Sequence, residues 1–258
     1  MKIAIAGAAG RMGQMLIAEI ARTEGCTLAA ALEGPGSNKL GTDAGGGVKI
    51  VSDAAAAIGA ADTIIDFTVP AATVAHARIA ADKGVAMVIG TTGLNPEQTA
   101  LVHECAKKTP ILWAANMSIG VNVLLSLVEK TASMLDPAYD IEVLEMHHRH
   151  KIDAPSGTAL ALGRAAAAGR KVKLEEVWRK SRDGHTGARP TGEIGFATLR
   201  GGEEVGVHTV MFAAAGERLE LSHRAFSRET YASGAVRSAL WLKGKKPGLY
   251  GMKDVLGL

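Results

Sequence analysis

Lys2-Ile-Ala-Ile-Ala-Gly-Ala-Ala-Gly-Arg-Met-Gly13 opens the chain with a short apolar strand and then three glycines in seven positions. Gln14 to Arg22 comes next with Met15, Leu16, Ala18, Glu19 and Ile20 at helical spacing, so the order is strand, glycine turn, helix. In that context a G-x-x-G-x-x-G run has a physical meaning. The glycines permit a tight turn, and backbone N–H groups at the helix N-terminus meet a pyrophosphate. The stricter G-x-G-x-x-G form would need a glycine at Ala8. A glycine turn that merely joins strand to helix is the bland alternative. The position at the head of the chain, with a second strand directly after the helix, weighs against it.

That second strand is Thr27-Leu-Ala-Ala-Ala-Leu32, with Glu33 at its carboxyl end, where a carboxylate accepts hydrogen bonds from adenine-ribose hydroxyls. Gly34 to Gly47 is a glycine-rich excursion, read as a mobile loop. Strands over Ala61–Thr68, Val85–Gly90 and Ile111–Ala115 then alternate with helices over Ala71–Lys83 and Pro96–Lys108. Such alternation predicts an α/β fold with a doubly wound parallel sheet. Ligands of these sheets bind beyond the carboxyl ends of the strands. Gly7–Gly13, Glu33, Phe67–Thr68, Gly90–Thr92 and Ala114–Met117 all fall there.

After Ser118 the pattern changes. A long apolar helix, Gly120 to Leu135, leads into the alternating strand Asp140–Met146 and then His147-His-Arg-His-Lys151, five basic or protonatable residues in a row. Ser156 reads as the N-cap of an alanine-rich helix, whose free N–H groups form an anion cradle next to that cluster. On a continuing strand His147 and Lys151 share a face, and on a helix they are i,i+4 neighbours. Either way they can face one ligand, histidine exchanging protons near neutral pH and lysine supplying a donor and a point charge. A metal site is disfavoured, because no cysteine is near and a strand would split the histidines between faces. Arg179–Pro190 reads as a flexible loop, and Gly192–Arg200, Val205–Ala213 and Arg218–His223 as strands, the last two forming a hairpin. Ser227–Leu242 is a helix. The division expected is residues 1–118 plus 228–258 as a dinucleotide-binding domain, and 119–227 as a second α+β sheet domain that binds substrate.

Composition narrows the classes. At 47% apolar and 21% charged there is material for a core. A net charge of +3 with 4% aromatic residues makes no case for nucleic acid. Two cysteines form no disulfide framework and point to a reducing cytoplasm, and no run reaches transmembrane length.

Taken together, these stretches resemble the 4-hydroxy-tetrahydrodipicolinate reductase (dihydrodipicolinate reductase) family from end to end. The resemblance rests on Gly7–Gly13, Asp66-Phe-Thr68, Gly90-Thr-Thr-Gly93, Ala114-Ala-Asn-Met117 and, above all, Glu145-Met-His-His-Arg-His-Lys-Ile-Asp-Ala-Pro-Ser-Gly-Thr158. It implies a Rossmann domain, a second domain whose sheet assembles into a homotetramer, and NAD(P)H-dependent reduction of a cyclic dicarboxylate imine to tetrahydrodipicolinate. It implies cofactor contacts at Gly7, Ala8, Ala9, Gly10, Arg11, Met12, Glu33, Gly90, Thr91, Thr92, Ala114, Ala115, Asn116 and Met117. His147 matches the acid/base, Lys151 the proton donor, and His148, Gly157 and Thr158 the substrate-carboxylate contacts. Met117 replaces a phenylalanine frequent in the family, and Gly34 an arginine found in some members. Glu33 followed by Gly34 predicts NADH used at least as well as NADPH, because nothing there pairs a 2′-phosphate. The rivals are another small-substrate dehydrogenase of the same plan and a non-catalytic nucleotide sensor.

Overall fold

The computed structural model describes residues 1–258. Its opening strand, β1 (Lys2–Ala6), feeds two cores with alternate residues. Ile3 and Ile5 pack with Leu16 and Ile20 of α1 (Arg11–Arg22) and with Ala235 and Ala239 of α8 (Glu229–Leu242). Ala4 and Ala6 pack on the other side with Ile58 of α2 (Ala54–Gly59), Ala77 of α3 (Pro70–Lys83) and Val102 of α4 (Pro96–Ala106). A strand covered on both faces is apolar at successive positions rather than alternating, as Ile3–Ala6 of β1 are after the exposed Lys2. Each isoleucine buried in this way stabilises the fold by about 1.5–3 kcal/mol.

The remaining strands of this sheet are β2 (Thr27–Leu32), β3 (Asp43–Gly45), β4 (Val48–Val51), β5 (Thr63–Asp66), β6 (Ala86–Ile89), β7 (Pro110–Trp113) and β13 (Gly248–Tyr250). Their order is β13-β7-β6-β5-β1-β2-β4-β3. All pairings are parallel except β3 with β4. This is a Rossmann-type, doubly wound sheet, with its switch point at β1 between β2 and β5. It belongs to a compact unit of Met1–Ile119 and Glu229–Leu258, closed by α9 (Met252–Leu256).

The second unit is Gly120–Arg228. It holds α5 (Ile119–Met134, whose first residue belongs to the other unit), β8 (Asp140–His147), α6 (Gly157–Gly169), α7 (Leu174–Val177), β9 (Trp178–Arg179), β10 (Ile194–Arg200), β11 (Gly206–Ala213) and β12 (Arg218–Ala225). The sheet order is β12-β11-β8-β10-β9, antiparallel on the β12 and β11 side and parallel on the β10 and β9 side. Burial alternates strictly along β8, with Ile141, Val143, Glu145 and His147 all on the covered face. The apolar residues Ile141 and Val143 join a core with Leu162, Ala166, Phe196 and Phe212.

Two loop expectations are corrected. The Gly34–Gly47 excursion contains β3, and β4 directly after it pairs in parallel with β2 through Ala31↔Ile50 and Leu32↔Val51. Four residues bracketed by glycines and Ser52-Asp53 are too few to show a period, and only pairing with β2 defines the strand. The Arg179–Pro190 segment is tied down rather than loose. Arg182 forks onto both oxygens of Glu142 at 3.0 and 2.8 Å, and Arg189 reaches Glu142 at 3.1 Å and Asp140 at 2.6 Å. Bidentate guanidinium–carboxylate pairs are the strong kind, and their acceptors lie some forty residues away in β8.

Candidate active site

In the first unit the glycine turn is held from below. Gly7 and Ala8 donate their N–H groups to the Leu32 carbonyl at 2.9 and 3.1 Å, locking the turn to the end of β2. Gly7 has φ +75°, and a β-carbon at Gly13 would run into the Gly7 carbonyl oxygen and the Ala8 backbone. Glycine is required at both. Gly10 caps α1 with no side-chain hydrogen bond, and no acidic side chain lies in the first turn, so the helix N-terminus keeps its positive partial charge for an anion. Glu33 stands beside this turn, and its Oε1 accepts the Ala9 N–H at 2.8 Å.

The other strand ends gather along the same edge. Thr91 is buried, its carbonyl accepts the Trp113 indole N–H at 3.2 Å, and Gly90 has no side chain where the Phe67 ring lies. A cavity of about 260 Å³ is lined by Thr91, Thr92, Gly93, Leu94, Trp113, Ala114 and Ala115. Asn116 Oδ1 accepts the Ser118 N–H at 2.8 Å. The Met117 side chain is buried in the core, and a β-carbon at Gly234 would meet its carbonyl, so helix α8 packs directly on this segment. Arg11 is exposed and Met12 half-buried at the start of α1.

In the second unit β8 stops at His147 and the chain turns, with the Lys151 N–H donating to the His148 carbonyl. Neither the continuing strand nor a helix describes 148–151. The Lys151 ammonium pairs with Asp153 at 2.7 Å, and that contact outweighs burial to hold the Asp153 carboxyl below its ordinary range. His148 lies 3.4 Å from Arg228, and partial burial and that guanidinium lower its pKa. Gly157 and Thr158 form the first turn of α6 above the Ser156 cap, whose Oγ accepts the Ala159 N–H at 3.1 Å.

Glu145 organises the centre. Its carboxylate, with no exposed side-chain area, accepts the His147 Nδ1–H at 2.6 Å, the Ser156 N–H at 3.0 Å and both ends of the Arg200 guanidinium at 2.8 and 2.9 Å. Burial pushes its pKa up, but these donors win and bring it down to about 2, so it is ionised. An ionised partner accepts the hydrogen on His147 Nδ1 and leaves Nε2 as the ring nitrogen not engaged with Glu145. His208 stands edge-on to His147, with ring centroids 5.0 Å apart, and its Nε2 lies 3.1 Å from Ser156 Oγ. Burial first, then His147, pushes His208 down to about 4, so it is neutral near pH 7 and shares a hydrogen bond with the Ser156 hydroxyl.

Sequence reasoning missed the roles of Glu145, Arg200 and His208. Glu145 could have been found from its i,i+2 relation to His147 on one strand face. Arg200 and His208 carry no local signal, because only the strand order brings them to β8. A cavity of about 640 Å³ in the same unit, lined by Leu135, Pro137, Arg170, Trp178 and Glu193 among others, includes none of the His147 cluster.

Similarity to known proteins covers the whole chain. Residues 1–117 match the family described as Dihydrodipicolinate reductase, N-terminus, and residues 120–256 the family described as Dihydrodipicolinate reductase, C-terminus. A 4-hydroxy-tetrahydrodipicolinate reductase of Rhodopseudomonas palustris (strain BisB5) is 52% identical over 265 aligned positions, covering 100% of this chain and 98% of the relative. One from Ralstonia pickettii (strain 12J) is 52% identical over 264, covering 100% of both. Among solved structures, a dipicolinate-bound dihydrodipicolinate reductase from Paenisporosarcina sp. TG-14 superposes with TM-score 0.78 at 26% identity, over 98% of each chain.

Proposed function

This chain belongs to the dihydrodipicolinate reductase family, and we propose that His147, Lys151 and the α6 N-terminus carry the chemistry of its reaction. The protein is an NAD(P)H-dependent 4-hydroxy-tetrahydrodipicolinate reductase of lysine and diaminopimelate biosynthesis. The cofactor supplies the hydride when bound, and the chain's own residues position it, hold the substrate and handle the proton. The residues expected to hold it are Gly7 to Met12, Glu33, Gly90 to Thr92 and Ala114 to Met117. The α1 N-terminus, whose Gly10 cap makes no side-chain hydrogen bond, and the strand-end cavity fit parts of a dinucleotide.

In this reading the dicarboxylate substrate sits with one carboxylate on the Gly157 and Thr158 N–H groups and another near His148. His147 Nε2 exchanges a proton with the reacting atoms while Glu145 keeps its Nδ1 protonated. Lys151 leaves Asp153 to supply a donor to the substrate. The observation that carries this is the 2.6 Å Glu145–His147 pair beside the Ser156-capped helix start. It joins a proton-exchanging group to an anion cradle. The test is NADH consumption with the enzymatically generated substrate. Turnover that requires a dicarboxylate supports the assignment, and turnover of a neutral analogue at equal kcat/KM would overturn it.

NADH is the preferred cofactor in this reading. Glu33 stands at the carboxyl end of β2, Gly34, Pro35 and Gly36 come after it, and the nearest downstream cation, Lys39, is on an exposed segment. A homotetramer fits the uncovered face of the second sheet, where Leu144, Met146, Val207 and Met211 are only half-buried and Leu199 is 49% exposed. Sedimentation as a monomer would remove that assignment. A cytoplasmic location fits the two unpaired cysteines, Cys26 and Cys105. No helix is long and apolar enough to cross a membrane.

A further inference from the structure

We propose that Asp66, Thr73 and His76 are positioning residues for the nicotinamide half of the cofactor, acting through Thr68 and Thr91. This rests on the reading that the first unit binds NAD(P)H along the carboxyl edge of its sheet. In that sheet β2, with Glu33, lies on one side of β1, and β5, β6 and β7 lie on the other. The adenosine side is marked by Glu33, so the end of β5 underlies the opposite half of a bound dinucleotide.

Asp66 is the last residue of β5 and is fully buried. A carboxylate has about four lone-pair sites, and here the donors come from the two neighbouring loops and from α3. Oδ1 takes the Thr68 N–H at 2.9 Å, the Thr68 hydroxyl at 2.6 Å and the Thr91 hydroxyl at 3.2 Å, and Oδ2 takes the His76 Nδ1–H at 2.6 Å. Each hydroxyl has a single proton. With those of Thr68 and Thr91 on Asp66, the Thr73 proton goes to Thr91 Oγ at 2.8 Å. The Thr68 N–H also lies 3.1 Å from that oxygen. The β5–α3 and β6–α4 loops are therefore joined through one carboxylate.

No arginine or lysine pairs with Asp66, and the isoleucines of β5 already fill the core. A buried ion of this kind is poor as a source of stability and good at defining one arrangement of its donors. The loops it defines are those that meet the cofactor. Thr68 Cγ2 approaches the open side of Gly7 in the glycine turn, and Thr91 borders the strand-end cavity. Thr73 and His76 lie on α3, behind these loops, so the proposal concerns geometry rather than contact with the cofactor.

The experiment uses the full-length protein and two ligands, NADH and ADP. ADP keeps the adenosine and pyrophosphate and lacks the nicotinamide riboside. Thr73→Val is isosteric and deletes one link, and Asp66→Asn deletes the charge. Asp66→Asn should weaken NADH by about tenfold, equivalent to roughly 1.4 kcal/mol. Thr73→Val should weaken it by several-fold, with ADP affinity unchanged in both and KM for the dicarboxylate unmoved. Equal weakening of NADH and ADP, or unchanged NADH binding in Thr73→Val, would overturn the proposal. Wild-type protein that fails to bind NADH at all would instead overturn the cofactor reading beneath it.

Discussion

Two buried carboxylate–imidazole pairs of the same length, 2.6 Å, sit in the two units in different surroundings. Asp66 and His76 are closed in by threonine hydroxyls. Glu145 and His147 are joined by Arg200, a permanent cation. The difference is one of charge compensation. Burial opposes ionisation of Asp66, and His76 with the Thr68 donors outweighs it and lowers the pKa, so the His76 proton is part of what keeps that charge in place. Arg200 pairs with Glu145 through both of its terminal nitrogens, so this buried carboxylate has a permanent cation beside the imidazole. We read the same dyad as a strut in one surrounding and, with His147 as the proposed acid/base, as a proton-exchange device in the other.

Kinetics should separate the two histidines most widely. His147→Ala should lower kcat by roughly 10²–10⁴-fold with NADH affinity intact, and Lys151→Ala should do the same. His76→Ala should instead act mainly on NADH binding. Equal losses of kcat for His76 and His147 would erase the contrast.

Next comes stability, measured by urea unfolding at pH 7. Glu145→Gln strands Arg200, which cannot give up its proton, and should cost about 3–5 kcal/mol. Asp66→Asn strands only His76, which can, and about 1–3 kcal/mol is expected for the donors left poorly matched. The reverse order would show that Arg200 does not compensate Glu145.

Acid titration probes the second unit's dyad through its neighbour. His208 ordinarily titrates near 6.5, but burial and His147 hold it to about 4 when folded. The unfolded chain therefore takes up that proton first as pH falls. Stability from His208 is full above about pH 6.5 and is lost between there and about pH 4, by on the order of 3 kcal/mol. Glu145, Lys151 and His223 also face this imidazole. Glu145 contributes in a lower window, fully above its ordinary 4.5 and lost as pH falls to about 2. His208→Gln should flatten the upper window and leave the lower one, and a wild-type profile with no slope above pH 4.5 would contradict the burial of a neutral His208.

A third carboxylate, Glu33, should give the mildest change, because it is only half-buried and bound to backbone N–H groups. Gly34 beside it has open space where a β-carbon would go and no positive φ. Gly34→Arg should therefore fold normally and shift the kcat/KM ratio toward NADPH by about tenfold, roughly 1.4 kcal/mol. A wild-type preference for NADPH of that size would point to Lys39 instead.

What could be read without the structure was set by short-range physics. Strand, glycine turn and helix in Lys2–Arg22 arise from local sterics and periodicity, as do the Ser156 cap and the buried alternation that ends at His147. The likeness carried by Glu145–Thr158 marked the candidate segment because the residues proposed for the chemistry cluster along one strand and its turn. The partners of those residues were decided only by tertiary structure. Arg200 reaches Glu145 across 55 residues and His208 reaches Ser156 across 52. Lys151 left the line of His147 because β8 ends and its ammonium found Asp153. Pairing across a sheet depends on which strands become neighbours, a property of the whole fold's burial and loop closure, and no local pattern records it.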